Sequence, residues 1–140
     1  MKARLLCAFA VLVLLSSCQT TTPVAAGTAL DGAWSLVSAT FSGPDRTPST
    51  VTPPQVRSLK VLNDGRFAFV TVREDGTVVR SSAGRYTVNG NTYSETIELS
   101  NSPGDVGKTF TFEFQLDGDD WRHRGGLQDR RFDEVWRRVR

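Results

Sequence analysis

The 140-residue sequence has little with which to staple a fold or to run covalent chemistry. Its two cysteines, Cys7 and Cys18, both fall near the N-terminus, so nothing downstream can form a disulfide, offer a thiolate nucleophile or build a cysteine metal site. Histidine occurs once, as His123, and one imidazole without thiols or clustered carboxylates is a poor metal ligand set. No metal and no cofactor are expected. The chain also lacks Gly-x-Ser-x-Gly, a phosphate-binding loop and paired histidines, the signatures of nucleophilic, phosphoryl-transfer and metal catalysis. The expectation is a protein that is not an enzyme. No apolar run approaches the roughly 20 residues that a membrane-spanning helix needs.

What is there begins at the N-terminus. Lys2 and Arg4 precede eleven residues, Leu5 to Leu15, without a polar side chain, and Ser16 and Ser17 end the run before Gln19-Thr20-Thr21-Thr22. A positive start, an apolar segment of this length and small residues at its end are the parts of a cleaved secretory signal. Residues 1–17 are read as that signal.

The four residues Leu15-Ser16-Ser17-Cys18 resemble the lipobox of bacterial lipoproteins. The resemblance implies that Cys18 becomes the first residue of the mature chain and carries a thioether-linked diacylglycerol, so that the protein labels with palmitate. Two or more acyl chains turn marginal membrane binding into stable anchoring. Gln19 stands where an aspartate would signal retention at the inner membrane, and by the same resemblance this implies the outer membrane, facing the periplasm. The membrane is thus the first expected partner, reached through the lipid on Cys18.

Loss of residues 1–17 leaves 123 residues, enough for one domain with a real core. It also removes Lys2 and Arg4 and leaves fifteen basic residues against fifteen acidic ones, so the formal charge of +2 disappears. The remaining charges are interspersed, and no nucleic-acid partner is expected. Residues 18–30 are small, polar and proline-containing, the composition of a tether. Residues 31–140 form the domain.

Within that domain short alternating segments recur between turn signals. Asn63-Asp64-Gly65, Glu74-Asp75-Gly76, Asn89-Gly90-Asn91 and Asp117-Gly118-Asp119 each set Gly after Asp or Asn, as tight hairpins demand. The strands so delimited cover residues 33–41, 55–62, 66–73, 77–83, 85–89, 92–99, 108–116, 121–125 and 131–139. Residues 42–54, with four prolines, and 100–107 read as loops. Neighbouring strands joined by short turns pair most simply with one another, and closure removes exposed edges. The fold expected is all-β, an antiparallel up-and-down barrel of eight or nine strands.

Alternation assigns faces. Phe110, Phe112, Phe114 and Leu116 point one way; Glu95 lies in register with Tyr93, Ile97 and Leu99. Trp121, His123 and Gly125 share a face, as do Phe132, Glu134, Trp136 and Arg138. A carboxylate on an apolar face must be paired or solvated, which gives Glu95 a donor such as Tyr86, Tyr93, His123 or an inward arginine. Glu95 and Glu134 then either fix the barrel in one register or orient a ligand.

Gly32-Ala33-Trp34, the string Gly84-Arg85-Tyr86 through Tyr93-Ser94-Glu95-Thr96, and Glu134-Val135-Trp136-Arg137-Arg138 together resemble the lipocalin-like, or calycin-like, small bacterial envelope proteins. The later strings are similar to a domain of unknown function found in secreted and lipidated bacterial proteins. The Gly-x-Trp resemblance implies that Trp34 closes the barrel floor under a last-strand arginine, Arg138 or Arg137, in a cation–π contact. Central Thr-Asp-Tyr and the C-terminal helix of a full lipocalin are missing.

Two functions follow as expectations. In the first, the barrel of an envelope lipoprotein binds a small apolar or amphipathic molecule among Phe67, Phe69, Tyr86, Tyr93, Phe112, Trp121, His123 and Trp136, with Glu95 orienting a polar end. In the second, a filled barrel acts through its loops, residues 42–54 and 100–107, on another envelope protein or as an inhibitor. Barrels of about eight strands stand at the boundary between the two, since their own side chains just fill them.

Overall fold

The computed structural model describes residues 29–127 and 130–140. The signal, the lipobox with Cys18 and most of the tether lie outside the described residues. Nine strands follow in order: β1 (Gly32–Gly43), β2 (Arg46–Val51), β3 (Val56–Asn63), β4 (Arg66–Arg73), β5 (Val78–Asn89), β6 (Thr92–Ser100), β7 (Thr109–Asp117), β8 (Asp120–Leu127) and β9 (Arg130–Arg138). Each of the four turn signals sits between two of them, and Gly90 and Gly118 take φ of 58° and 59°, values open to Gly but costly for most residues.

Strands β3 to β9 pair antiparallel with their chain neighbours, and β1 pairs with both β3 and β9. The result is a closed eight-stranded up-and-down barrel with β2 added to it. One edge of β1 is divided: Gly32 to Ser35 face β3, whereas Ala39 to Gly43 face β2.

Three expectations are corrected. Residues 42–54 are not all loop, because Arg46–Val51 forms β2 as a hairpin on β1. Pro48 is accommodated because an edge strand has positions whose N–H serves no ladder, and Thr40 Oγ1 meets Thr50 Oγ1 at 2.8 Å. The segments 77–83 and 85–89 are one strand, β5, running through Gly84. A Cβ at Gly84 would lie 2.0 Å from the Thr96 carbonyl oxygen, so the missing side chain lets β6 press against β5. Leu99, finally, does not share the face of Glu95. Ala83 pairs with Leu99 but Gly84 with Ile97, a bulge that turns Leu99 outward to 69 % exposure.

The two ends of the barrel differ. At one end Leu30, Trp34, Leu62, Tyr93 and Trp121 are essentially inaccessible. Leu30, tether-like by composition, packs into this floor and takes the Trp34 Nε1 hydrogen bond on its carbonyl at 2.8 Å. Arg138 lies 4.2 Å from the Trp34 ring centroid and donates to the carbonyls of Asp31 (2.6 Å) and Ala29 (2.7 Å). Gly32 is required there: its φ is 132°, and a Cβ would stand 2.7 Å from the Arg138 guanidinium.

At the other end inward-facing residues are only half buried. Val51 opposes buried Ala39, Phe69 opposes Lys60, Phe110 opposes Glu95, and Phe132 opposes Gly125, so all four point inward. Each packs on the core while keeping some exposure. This end is a mouth.

Candidate functional site

Between floor and mouth lies a layer of ionisable side chains. Tight turns set it there. The Asp64-Gly65 hairpin pairs Asn63 with Arg66, so Leu62 lies opposite Phe67 and, two residues further back on the same face, Lys60 lies opposite Phe69. Lys60 therefore points inward and is 3 % exposed. From β6, Glu95 enters the same layer at 4 % exposure.

The two meet at 2.7 Å, Lys60 Nζ to Glu95 Oε1. Tyr93 OH donates to the same oxygen at 2.7 Å. Around the ammonium stand the rings of Phe69, Trp121, Trp136 and Tyr93, with centroids 5.2, 5.3, 5.3 and 5.6 Å away. The cation thus exchanges water for one carboxylate and four π faces, the arrangement that makes a buried charge tolerable. Burial, then the Glu95 carboxylate, pushes the Tyr93 hydroxyl well above the usual phenol range.

A second cluster adjoins the first. His123 Nδ1 lies 3.2 Å from Glu134 Oε2, and Trp136 Nε1 donates to the same oxygen at 3.0 Å. Burial holds the His123 pKa below its ordinary value, and nearby Lys60 adds to this, so the imidazole is neutral with its proton assigned to Nδ1 facing the carboxylate. Burial opposes ionisation of Glu134, but hydrogen bonds from His123 and Trp136 and the charge of Lys60 outweigh it, leaving the carboxyl below its ordinary range. His123 Nε2, an acceptor, and Trp121 Nε1, a donor, are buried without a hydrogen-bond partner. Among the described residues these two unmatched atoms suit a group that both donates and accepts, such as a hydroxyl.

The candidate residues sort by depth. Phe67, Tyr86, Tyr93, Trp121 and Trp136 belong to the closed half, where Trp121 packs edge-on to Trp34 and Tyr93 with centroids 5.4 and 5.3 Å apart. Tyr86 OH donates to Asp31 Oδ1 at 2.5 Å; burial and this carboxylate raise its pKa. Glu95, His123 and Phe112 form the middle layer, the His123 and Phe112 rings 4.3 Å apart. Phe69 alone of the set reaches the mouth. Val51, Phe110 and Phe132 join it there, and Lys60 and these three are the site residues that sequence reasoning missed. Phe112 and Phe132 come together because Gly125 has no side chain: a Cβ there would lie 2.3 Å from one ring and 2.7 Å from the other.

Over the outer face beside the mouth, Thr40, Thr111, Glu113, Arg124 and Asp133, with Phe132 at the edge, line an open groove of about 590 Å³ across β1, β9, β8 and β7. Among the described residues no group of three or more His, Cys, Asp or Glu side chains is placed to hold a metal ion.

No curated protein matches the chain in sequence. In structure it is similar to a lipocalin-like protein from Bacteroides uniformis ATCC 8492 whose crystal structure was determined at 1.79 Å, with a TM-score of 0.54 and 18 % identity, covering 79 % of this chain and 98 % of that one. The barrel is lipocalin-like. The family described as a domain of unknown function, DUF4488, matches residues 29–140, and the chain belongs to that family.

Proposed function

We propose that the chain is an envelope lipoprotein, anchored to the outer membrane through acylated Cys18, whose barrel binds a small amphipathic molecule at its mouth without catalysing a reaction on it. One observation carries this reading: the inward side chains of Val51, Phe69, Phe110 and Phe132 stay partly exposed around the mouth, and the buried interior beneath them holds polar atoms that lack partners. Apolar walls with a few convergent polar groups are what small-molecule sites consist of. The apolar part of the ligand lies against Phe69, Phe110, Phe132 and Val51. Its polar end, a hydroxyl or an amide, points down toward His123 Nε2. Lys60 already neutralises Glu95 through Oε1, so the site offers hydrogen bonds more than net charge.

Binding of N-phenyl-1-naphthylamine tests the mouth. The expected result is a saturable rise in fluorescence that Phe110→Asp abolishes and Arg124→Ala, in the outer groove, leaves intact. An enhancement insensitive to Phe110→Asp would overturn the assignment.

A second reading is favoured by the outer groove beside Arg124 and Asp133: a barrel that contacts another envelope protein through its exterior. Photocrosslinking from Thr111 in intact cells distinguishes it by trapping one discrete partner.

A further inference from the structure

The outer surface of the barrel is divided into two unlike walls. Strand β3 inverts the usual rule: Ser58 and Lys60 are buried inside, whereas Leu59 and Val61 stand outside at 45 % and 43 % exposure. Register continues the outward apolar surface around the barrel. Leu59 opposes Val70, Val61 opposes Ala68, Ala68 opposes Ala83, and Ala83 opposes Leu99. Four neighbouring strands therefore share one apolar wall, and the bulge in β6 adds its most exposed member, Leu99. The exterior of β7 to β9 is the opposite case, carrying Glu113, Arg122, Arg124, Asp133 and Arg137. Soluble monomers rarely leave a contiguous apolar patch of this kind uncovered.

Resting on the Cys18 anchoring read above, we infer that the β3–β6 wall lies on the lipid surface to which the chain is tethered. Three features point to lipid as the occupant. Described structure begins at Ala29, eleven residues after Cys18, so the anchor holds the barrel within ~36 Å of the bilayer at 3.3 Å per extended residue. The chain enters on the same side, since Ala33 faces outward beside Val61 at the start of β1. Arg57, Arg66 and Arg85 rim the patch with only Glu98 among them as a paired acid, which suits anionic headgroups around an apolar contact. With this wall down, the charged wall faces water and the mouth opens sideways along the membrane, where amphipathic molecules are concentrated.

The mature chain has no thiol other than Cys18, so Val70→Cys and Gln115→Cys each place one fluorophore, on the apolar and the charged wall respectively. The lipidated protein is reconstituted in vesicles of phosphatidylethanolamine and phosphatidylglycerol that contain brominated acyl chains. Quenching several-fold stronger at position 70 than at 115 is the expected result. Equal quenching, quenching at neither position, or shielding of position 70 by a dimer that crosslinks without vesicles would overturn the inference. The mass of the protein reports acylation separately. If Cys18 proves unmodified the anchoring fails, and the same asymmetry at high lipid concentration then upholds the wall, whereas its absence overturns it.

Discussion

Lys60 and Glu95 stand 2.7 Å apart inside the barrel, from strands that are not neighbours, and each is more than nine-tenths buried. Such a pair is costly to break and inexpensive to replace, because the penalty falls on whichever charge is left alone. Lys60→Met should destabilise the domain by about 3–5 kcal/mol. Adding Glu95→Gln, which keeps an acceptor for Tyr93, should restore most of the loss. Urea unfolding of the two variants checks both halves; a double variant no more stable than the single one would show that the ion pair stabilises in its own right.

His123 gives the stability a pH dependence of known sign. Its pKa in the folded protein lies below the ordinary 6.5 because burial disfavours the imidazolium. The unfolded chain therefore takes up a proton that the folded one refuses, so stability present above pH 6.5 declines as pH falls. Since this is the chain's one histidine, His123→Asn should flatten the unfolding free energy from about pH 7 to about pH 5.5, the interval over which an ordinary imidazole takes up its proton. Glu134, held low, loses its contribution only as pH falls from the ordinary carboxylate range downward, and so does not mask the effect.

Arg138 joins the floor to the entering chain by covering Trp34 and holding the carbonyls of Asp31 and Ala29. Arg138→Ala loses a cation–π contact and two charge-assisted hydrogen bonds, together about 2–4 kcal/mol. Arg138→Lys should recover little, because an ammonium cannot stack flat and fork to two acceptors at once. Thermal unfolding of the three proteins, with Leu30→Ala as a second lesion in the same floor, measures the effect.

The barrel was legible in the sequence where local chemistry decides structure. Gly after Asp or Asn marked four hairpins and alternation on β7 gave the faces of Phe110 to Leu116, while the resemblance carried by Gly32-Ala33-Trp34 implied Arg138 or Arg137 over Trp34, a place that Arg138 takes as Arg137 pairs with Asp120. Lys60 was hidden because its β3 neighbours Leu59 and Val61 stand outside, so hydrophobicity alone points the wrong way. The signal that finds it is the Asp64-Gly65 turn, which fixes register independently of burial. Leu99 was misplaced because a bulge depends on Gly84 meeting the Thr96 carbonyl, a contact between strands. Strand β2 was obscured by Pro48, which an edge position accommodates, and by the flanking Pro44, Pro53 and Pro54.

The binding proposal meets its most direct test in native mass spectrometry of the mature protein, extracted gently from its own host's envelope. The account predicts a stoichiometric small molecule that carries an apolar chain and a hydroxyl or amide, and that leaves the Phe110→Asp protein. Protein recovered repeatedly at its own mass, with no adduct in either form, would contradict it.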